Sequence, residues 1–61
     1  MKAVTIGSQW WAGGNEKFTV IDVITIEGYT WVHYRNNDKE NFKEYSCYLE
    51  SFLSRFRELL V

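Results

Sequence analysis

The sequence lacks proline entirely and has one cysteine, Cys47, and one histidine, His33, among its 61 residues. One cysteine excludes a disulfide within the chain, and one cysteine with one histidine argues against a zinc site built from those residues. A chain this short buries only about 60% of the surface that its unfolded form exposes. We therefore expect no metal and no cofactor, and we expect aromatic packing or self-association to stabilise the fold.

Excess charge of one sign is also missing. The formal net charge is −1, whereas strong non-specific binding of nucleic acid needs a basic surface that displaces counterions from phosphates. No stretch approaches the roughly 20 apolar residues that cross a bilayer. The residues that follow Met1 are too few and too polar for the core of a secretory signal. These features predict a cytoplasmic protein with no membrane partner.

The apolar runs and the turn residues between them predict one α+β domain over residues 1–61. Short connections favour antiparallel neighbours. We therefore expect a small, strongly bent antiparallel sheet of roughly three to five strands, packed against one C-terminal amphipathic helix. The strands are expected at about residues 8–12, 18–27, 29–35 and 40–45, and the helix at about residues 47–60.

The run from Phe18 to Ile26 is the strongest strand signal, because β-branched residues dominate it. Its apolar residues do not alternate cleanly, and Asp22 interrupts them. A β-bulge near Asp22 would carry the apolar set from one face of the strand to the other. Asp22 is then either a hydrogen-bonded bulge residue or a docking carboxylate. Glu27 and Gly28 predict a tight reversal after this strand.

The C-terminal stretch carries apolar residues at helical spacing, and on a helical wheel they fall within about 120°. Ser46 is the preferred N-cap, because its hydroxyl can accept an unpaired amide proton of the first turn. Such a helix is not stable alone, so it docks on the sheet or on another chain. Self-association would then use Phe52, Phe56 and Leu60. The apolar set comprises Leu49, Phe52, Leu53, Phe56, Leu59 and Leu60.

Aromatic residues make up 18% of the chain, enough to supply both a core and a contact surface. Trp10 and Trp11 are adjacent, so in a strand their rings point to opposite faces. Either one of them stays outside as a contact, or both are buried on two covered faces. The sheet aromatics Tyr29, Trp31, Tyr34, Tyr45 and Tyr48 either pack across strands or face a partner. The candidate partner-binding residues are Trp10, Trp11, Tyr29 and Trp31.

Exposed rings can also stack on the bases of single-stranded nucleic acid. The cations nearest to the sheet aromatics are Arg35, Lys39 and Lys43, and acidic neighbours in the sequence neutralise them. A small barrel that binds single strands through these residues is therefore the alternative to a protein-interaction module.

No catalytic cluster is visible. His33 has no orienting partner at a recognisable spacing, so we interpret it as structural or solvent-facing. Cys47 lies next to the expected helix N-terminus, where a thiol pKa can fall. Without a second cysteine for exchange, it is better explained as a small buried residue. We expect that the protein is not an enzyme.

Three stretches, "IGSQWW", "EKFTVIDVITIEGYTWVHYR" and "YLESFLSRFREL", resemble the short proteins of lambdoid prophages in enteric bacteria, which carry a domain of unknown function. The shared pattern is a glycine followed by aromatics, a β-branched strand, a strand with aromatics, and a final helix with a phenylalanine-rich stripe. The resemblance spans nearly the whole chain and implies a phage-encoded accessory protein acting inside a bacterial host. It implies no catalytic residues.

The order of elements also resembles a Src-homology-3-like small barrel with a C-terminal helix. The Ala-Leu-Tyr-Asp-Tyr-type motif and the acidic loop of the peptide-binding members do not occur here, so we do not expect proline-rich ligands. The leading hypothesis is a non-enzymatic module that docks on a host or phage protein.

Overall fold

The computed structural model describes residues 4–14, 16–38 and 43–59. These residues form one five-stranded antiparallel sheet and a single short helix, so the predicted α+β class is confirmed. Within the described ranges no helix is long and apolar enough to cross a membrane. In chain order the elements are β1 (Gln9–Trp11), β2 (Lys17–Ile26), β3 (Tyr29–Asn36), β4 (Glu44–Tyr48), α1 (Leu49–Arg55) and β5 (Arg57–Glu58).

The strand order across the sheet is β4-β3-β2-β1-β5. The long β2 pairs with β1 near its start and with β3 along nearly all of its length. Among the described residues β4 and β5 form the two edges, and no pairing joins them. The sheet is therefore open in the described part of the chain.

The predicted irregularity in β2 is present. The pairing of β2 with β3 shifts register between Val20 and Asp22, and the Oδ1 atom of Asp22 accepts a hydrogen bond from the Val23 amide at 2.9 Å. The shift lets Phe18 and Val20 before the bulge, and Val23 after it, face the same side of the sheet. This explains why the apolar residues of the strand do not alternate cleanly.

The reversal predicted at Glu27 and Gly28 is a two-residue hairpin turn between β2 and β3. Both residues have positive φ, 52° for Glu27 and 84° for Gly28. This combination is typical of the type I′ turn, whose twist matches that of the flanking strands. The turn fixes the register that sets Ile26 opposite Tyr29.

The core lies between the sheet and α1. Phe52 and Phe56 stack on each other with ring centroids 4.4 Å apart, and they contact Trp10, Phe18 and Tyr34 of the sheet. The helix therefore docks on its own sheet. The buried apolar side chains are Trp10, Phe18, Val20, Val32, Tyr34, Phe52 and Phe56.

This packing corrects the proposed self-association surface. Phe52 and Phe56 are covered by strands of the same chain, so they are not available to a second copy. Leu60, the third residue of that surface, lies outside the described residues. Self-association itself stays a prediction.

The helix is much shorter than expected, and Ser46 is not its N-cap. β4 continues to Tyr48, pairing Cys47 with Val32 and Tyr48 with Trp31, so strand pairing already uses the backbone at Ser46 and Cys47. Tyr48 occupies the N-cap position without a side-chain capping bond.

The other helix end differs as well. Phe56 adopts an extended conformation, with φ −117° and ψ 150°, and the chain continues as β5. There Arg57 pairs with Trp11 and Glu58 with Trp10. Sheet hydrogen bonds to β1 thus replace the last helical turns. Of the strand predicted at 40–45, residues 40–42 lie outside the described ranges, Lys43 precedes the strand, and β4 runs from Glu44 three residues past the predicted end.

Candidate interaction surface

The face of the sheet that points away from α1 carries a contiguous apolar surface. Cross-strand pairing sets Ile24 opposite Trp31 and Trp31 opposite Tyr48, so these three side chains form one row across β2, β3 and β4. The neighbouring row sets Ile26 opposite Tyr29. Residues directly opposite each other share a face. We call Ile24, Ile26, Tyr29, Trp31 and Tyr48 the outer aromatic patch.

The rings of the outer aromatic patch contact one another. Tyr48 lies between the other two rings, with centroid distances of 4.2 Å to Trp31 and 5.7 Å to Tyr29. Tyr29 is 63% exposed, Ile26 55% and Tyr48 46%, whereas Trp31 is half-buried. The patch is thus an accessible apolar surface with Trp31 as its most enclosed member.

Two of the four predicted partner-binding residues lie in this patch, and two do not. Tyr29 and Trp31 are brought together. Trp10 is fully buried against Phe52, and its Nε1 donates to the Ser8 hydroxyl at 2.8 Å, so its assignment as a contact is corrected. Trp11 is exposed, but it lies on β1, away from the patch.

The remaining sheet aromatics belong to the other face. Tyr34 and Tyr45 stack with centroids 5.4 Å apart on the side that α1 covers, where both also meet Phe18. The sequence grouped them with Tyr29 and Tyr48 because all four are tyrosines in predicted strands or next to them. The register of the strands places Tyr34 and Tyr45 on the core side of the sheet, and Tyr29 and Tyr48 on the outer face.

Ile24 and Ile26 were missed as contact residues. In the sequence they read as part of a buried strand, because β-branched residues dominate that run. The available signal was the bulge at Asp22 combined with the hairpin at Glu27 and Gly28. Together they place Ile24 and Ile26 on the same face as Trp31 and Tyr29.

The structure does not gather the cations named for nucleic-acid binding. Arg35 is exposed on the outer face, directly opposite Glu44. Lys43 is exposed next to the start of β4, where its carbonyl accepts from the Asn36 amide at 3.3 Å. Lys39 lies outside the described residues.

A row of three polar side chains crosses the outer face of the sheet. Asp22, His33 and Ser46 are cross-strand neighbours on β2, β3 and β4. Asp22 is engaged by the Val23 amide, and within the described part of the chain no hydrogen bond joins His33 to Asp22 or Ser46. The row therefore lacks the nucleophile–base contact that covalent catalysis needs. Nor does any cluster of three potential metal ligands occur among the described residues.

Cys47 does not sit at a helix N-terminus. It lies in β4, half-buried beside Val32. Burial raises the pKa of the Cys47 thiol, against smaller opposing effects of the Arg55 charge and a hydrogen bond with Tyr34. The pKa of Tyr34 is raised as well, first by burial and then by Cys47. The thiol is therefore a poor nucleophile, contrary to the possibility left open by its position in the sequence.

Comparisons of the chain with protein-family models, with curated proteins and with solved structures found no match.

Proposed function

We propose that this protein is a non-enzymatic interaction module of the bacterial cytoplasm, and that its outer aromatic patch docks on another protein. The observation that carries the proposal is the patch itself: the Tyr48 ring in contact with those of Tyr29 and Trp31, together with two isoleucines, all on the face that α1 leaves uncovered. Contiguous exposed apolar surface is uncommon on monomers and marks interaction sites.

The composition of the patch fits a binding hot spot. Tryptophan and tyrosine dominate such spots because they offer large, rigid contact area at a small cost in side-chain entropy. Trp31 and Tyr48 already hold each other at 4.2 Å, so little ordering is needed on binding. The partner that fits is a protein surface with aliphatic or aromatic side chains.

The biological setting proposed is that of a phage or prophage accessory protein whose partner is a host or phage protein. Its support is the resemblance of three stretches of the sequence to lambdoid prophage proteins. A Src-homology-3-like barrel is the finer fold that we propose. Its support is the long, bulged β2, which pairs with β1 and β3, and the helix inserted between the last two strands.

The test is affinity capture from lysate of an enteric bacterium carrying an induced prophage, followed by reconstitution with the purified captured protein. The double variant Tyr29→Ser, Ile26→Ser removes the two most exposed patch side chains. Its matched control is Ile6→Ser, because Ile6 is 66% exposed and lies outside the patch.

We expect the double variant to weaken binding of the reconstituted partner at least about tenfold, since hot-spot truncations cost roughly 2 kcal/mol or more. The control variant is expected to bind like the unaltered protein. Equal binding by all three proteins, with folding verified by circular dichroism, would remove the patch as the docking surface.

A further inference from the structure

A separate part of the outer face places cations on both sides of one exposed indole. Trp11 on β1 has Lys17 of β2 as its cross-strand partner on one side and Arg57 of β5 on the other. Directly opposite residues share a face. One row across β2, β1 and β5 therefore contains a cation, the indole and a second cation. At about 4.8 Å per strand, the two cations attach roughly 10 Å apart.

The next row on this face extends the pattern. Gln9 is paired with Thr19, and Thr19 with Arg35, so a third cation follows two polar side chains. Glu44, opposite Arg35 at the edge of the sheet, is the nearest acid in that row. We call the two rows together the basic track; its members are Arg57, Trp11, Lys17, Gln9, Thr19 and Arg35.

The two cations beside Trp11 and the face of its ring are available to a ligand. Within the described residues, neither Lys17 nor Arg57 is engaged in an ion pair. Trp11 is 38% exposed, and its Nε1 already donates to the Gly14 carbonyl at 2.9 Å. Because its one polar ring atom is engaged, the indole offers carbon surface to solvent.

A cleft adjoins the track at its β5 end. Its volume is about 360 Å³, and Trp11, Gly13, Arg55 and Arg57 contribute to its walls together with Ala12. Two arginines thus line one space beside the indole. Guanidinium groups bind phosphate through paired N–H donors.

We propose that the basic track binds single-stranded nucleic acid, with a base stacked on Trp11 and neighbouring phosphates held by Arg57 and Lys17. A net charge of −1 does not oppose this, because the cations are concentrated on one part of one face. Base stacking on an aromatic side chain, flanked by cations that follow the backbone, is the usual construction of single-strand sites. An acidic peptide would satisfy the cations but would leave the indole without a stacking partner.

The test is a fluorescence-anisotropy titration of the full chain with a labelled oligothymidylate at several salt concentrations. The slope of log affinity against log salt is about −0.7 per phosphate contact for single strands, so two contacts predict a slope near −1.4. Trp11→Ala is expected to weaken binding about 5- to 150-fold, the range measured for loss of one stacked base.

Variants that remove one positive charge test the phosphate contacts, and one of them serves as a matched control. Lys17→Gln and Arg57→Gln are each expected to weaken binding and to make the salt slope less steep by about 0.7. Lys43→Gln removes the same charge from an exposed lysine that the sequence alone named for nucleic-acid binding but that is not a member of the basic track, so it is expected to leave both quantities unchanged. Trp11→Phe, which keeps a ring, is expected to bind more tightly than Trp11→Ala.

Three results would overturn the proposal: no binding at low salt, equal losses in Lys43→Gln and Lys17→Gln, or stronger binding of a polyglutamate peptide than of the oligonucleotide. None of them bears on the outer aromatic patch, whose variants carry no change in the basic track. The two proposals can therefore fail independently.

Discussion

The indole of Trp10 and the ring of Phe52 meet edge to face, with 4.9 Å between their centroids, and both side chains are fully buried. Trp10 belongs to β1 and Phe52 to α1. Because β5 follows α1 directly and pairs with β1, this contact lies where the end of the chain returns to its first strand. Edge-to-face geometry is among the favoured arrangements of aromatic pairs.

Phe52→Ala is therefore expected to destabilise the protein by about 3–5 kcal/mol, the usual cost of truncating a buried phenylalanine. A domain of this size has a total stability of roughly 3–9 kcal/mol, so the variant is expected to be largely unfolded at 37 °C. Urea unfolding followed by circular dichroism measures the change. Tyr29→Ala, at an exposed position, is the control and is expected to shift stability by about 0.5 kcal/mol or less. Similar losses in the two variants would contradict the assigned core.

The three tryptophans differ in their access to solvent, and fluorescence quenching separates them. Trp11→Phe is expected to remove most of the emission that iodide quenches, while Trp10→Phe is expected to leave the quenchable fraction intact, because Trp10 is fully buried. Iodide is expected to quench Trp11 more strongly than neutral acrylamide does, since Lys17 and Arg57 flank the ring and attract anions. An excess of sodium chloride removes that difference. A quenchable Trp10 would contradict the packing of β1 on α1.

Local sequence signals predicted the centre of this fold better than its end. The β-branched run, the interruption at Asp22 and the turn at Glu27 and Gly28 are short-range features, and each appears in the structure. The predicted helix was too long because Phe56 fits two patterns. It continues the helical stripe of Phe52, yet in the structure its ring packs on the core from extended backbone. Pairing of Arg57 with Trp11, a contact between distant parts of the chain, decides the outcome.

The candidate surfaces likewise depend on contacts between distant parts of the chain, which local sequence does not predict. Tyr29 and Trp31 could be named from composition, but their neighbours could not, because a patch depends on which residues face each other across strands. One bulge in β2 decides whether Ile24 lies with Trp31 or on the core side. Likewise, Lys17 and Arg57 lie far apart in the sequence, and only the order β2-β1-β5 brings both to Trp11.

Asn36 is a buried polar residue, and both the nitrogen and the oxygen of its side-chain amide are hydrogen-bonded. Its Nδ2 donates to the Glu16 carboxylate at 2.9 Å, and its Oδ1 accepts from the Asp38 amide at 2.9 Å. Asn36→Asp keeps the acceptor but sets a second carboxylate against Glu16. We expect a loss of about 1–3 kcal/mol at pH 7, from the missing donor and from like-charge repulsion.

The pH dependence distinguishes this cause from simple loss of packing. Repulsion raises the folded-state pKa of the introduced carboxyl, so the stability lost at pH 7 is recovered as the pH falls and a proton bridges the two groups. Urea midpoints of the variant and the unaltered protein are therefore expected to converge between pH 7 and about pH 4. Asn36→Ala, which adds no charge, is the control and is expected to show a nearly constant difference. Parallel curves for Asn36→Asp would contradict the contact with Glu16.

The ionisation of Cys47 and Tyr34 makes the stability of the fold depend on pH in the alkaline range. Burial raises the pKa of both groups above their values in the unfolded chain. At high pH the folded protein therefore retains protons that the unfolded chain has lost. The stability that these two groups contribute is fully present at a pH below their pKa values in the unfolded chain. It is lost as the pH rises through their higher pKa values in the folded protein.

The free energy of unfolding is accordingly expected to fall as the pH rises through about 8.5, where a free thiol is half ionised. Cys47→Ala is expected to show a smaller fall over the same interval, because of the two groups only Tyr34 then remains. Alkylation of Cys47 by iodoacetamide provides an independent readout, since the thiolate is the reacting form. Its rate is expected to rise at a higher pH in the folded protein than in the urea-unfolded chain. A lower pH of onset in the folded protein would mean that the thiol is activated, and the assignment of Cys47 as a packed strand residue would be wrong.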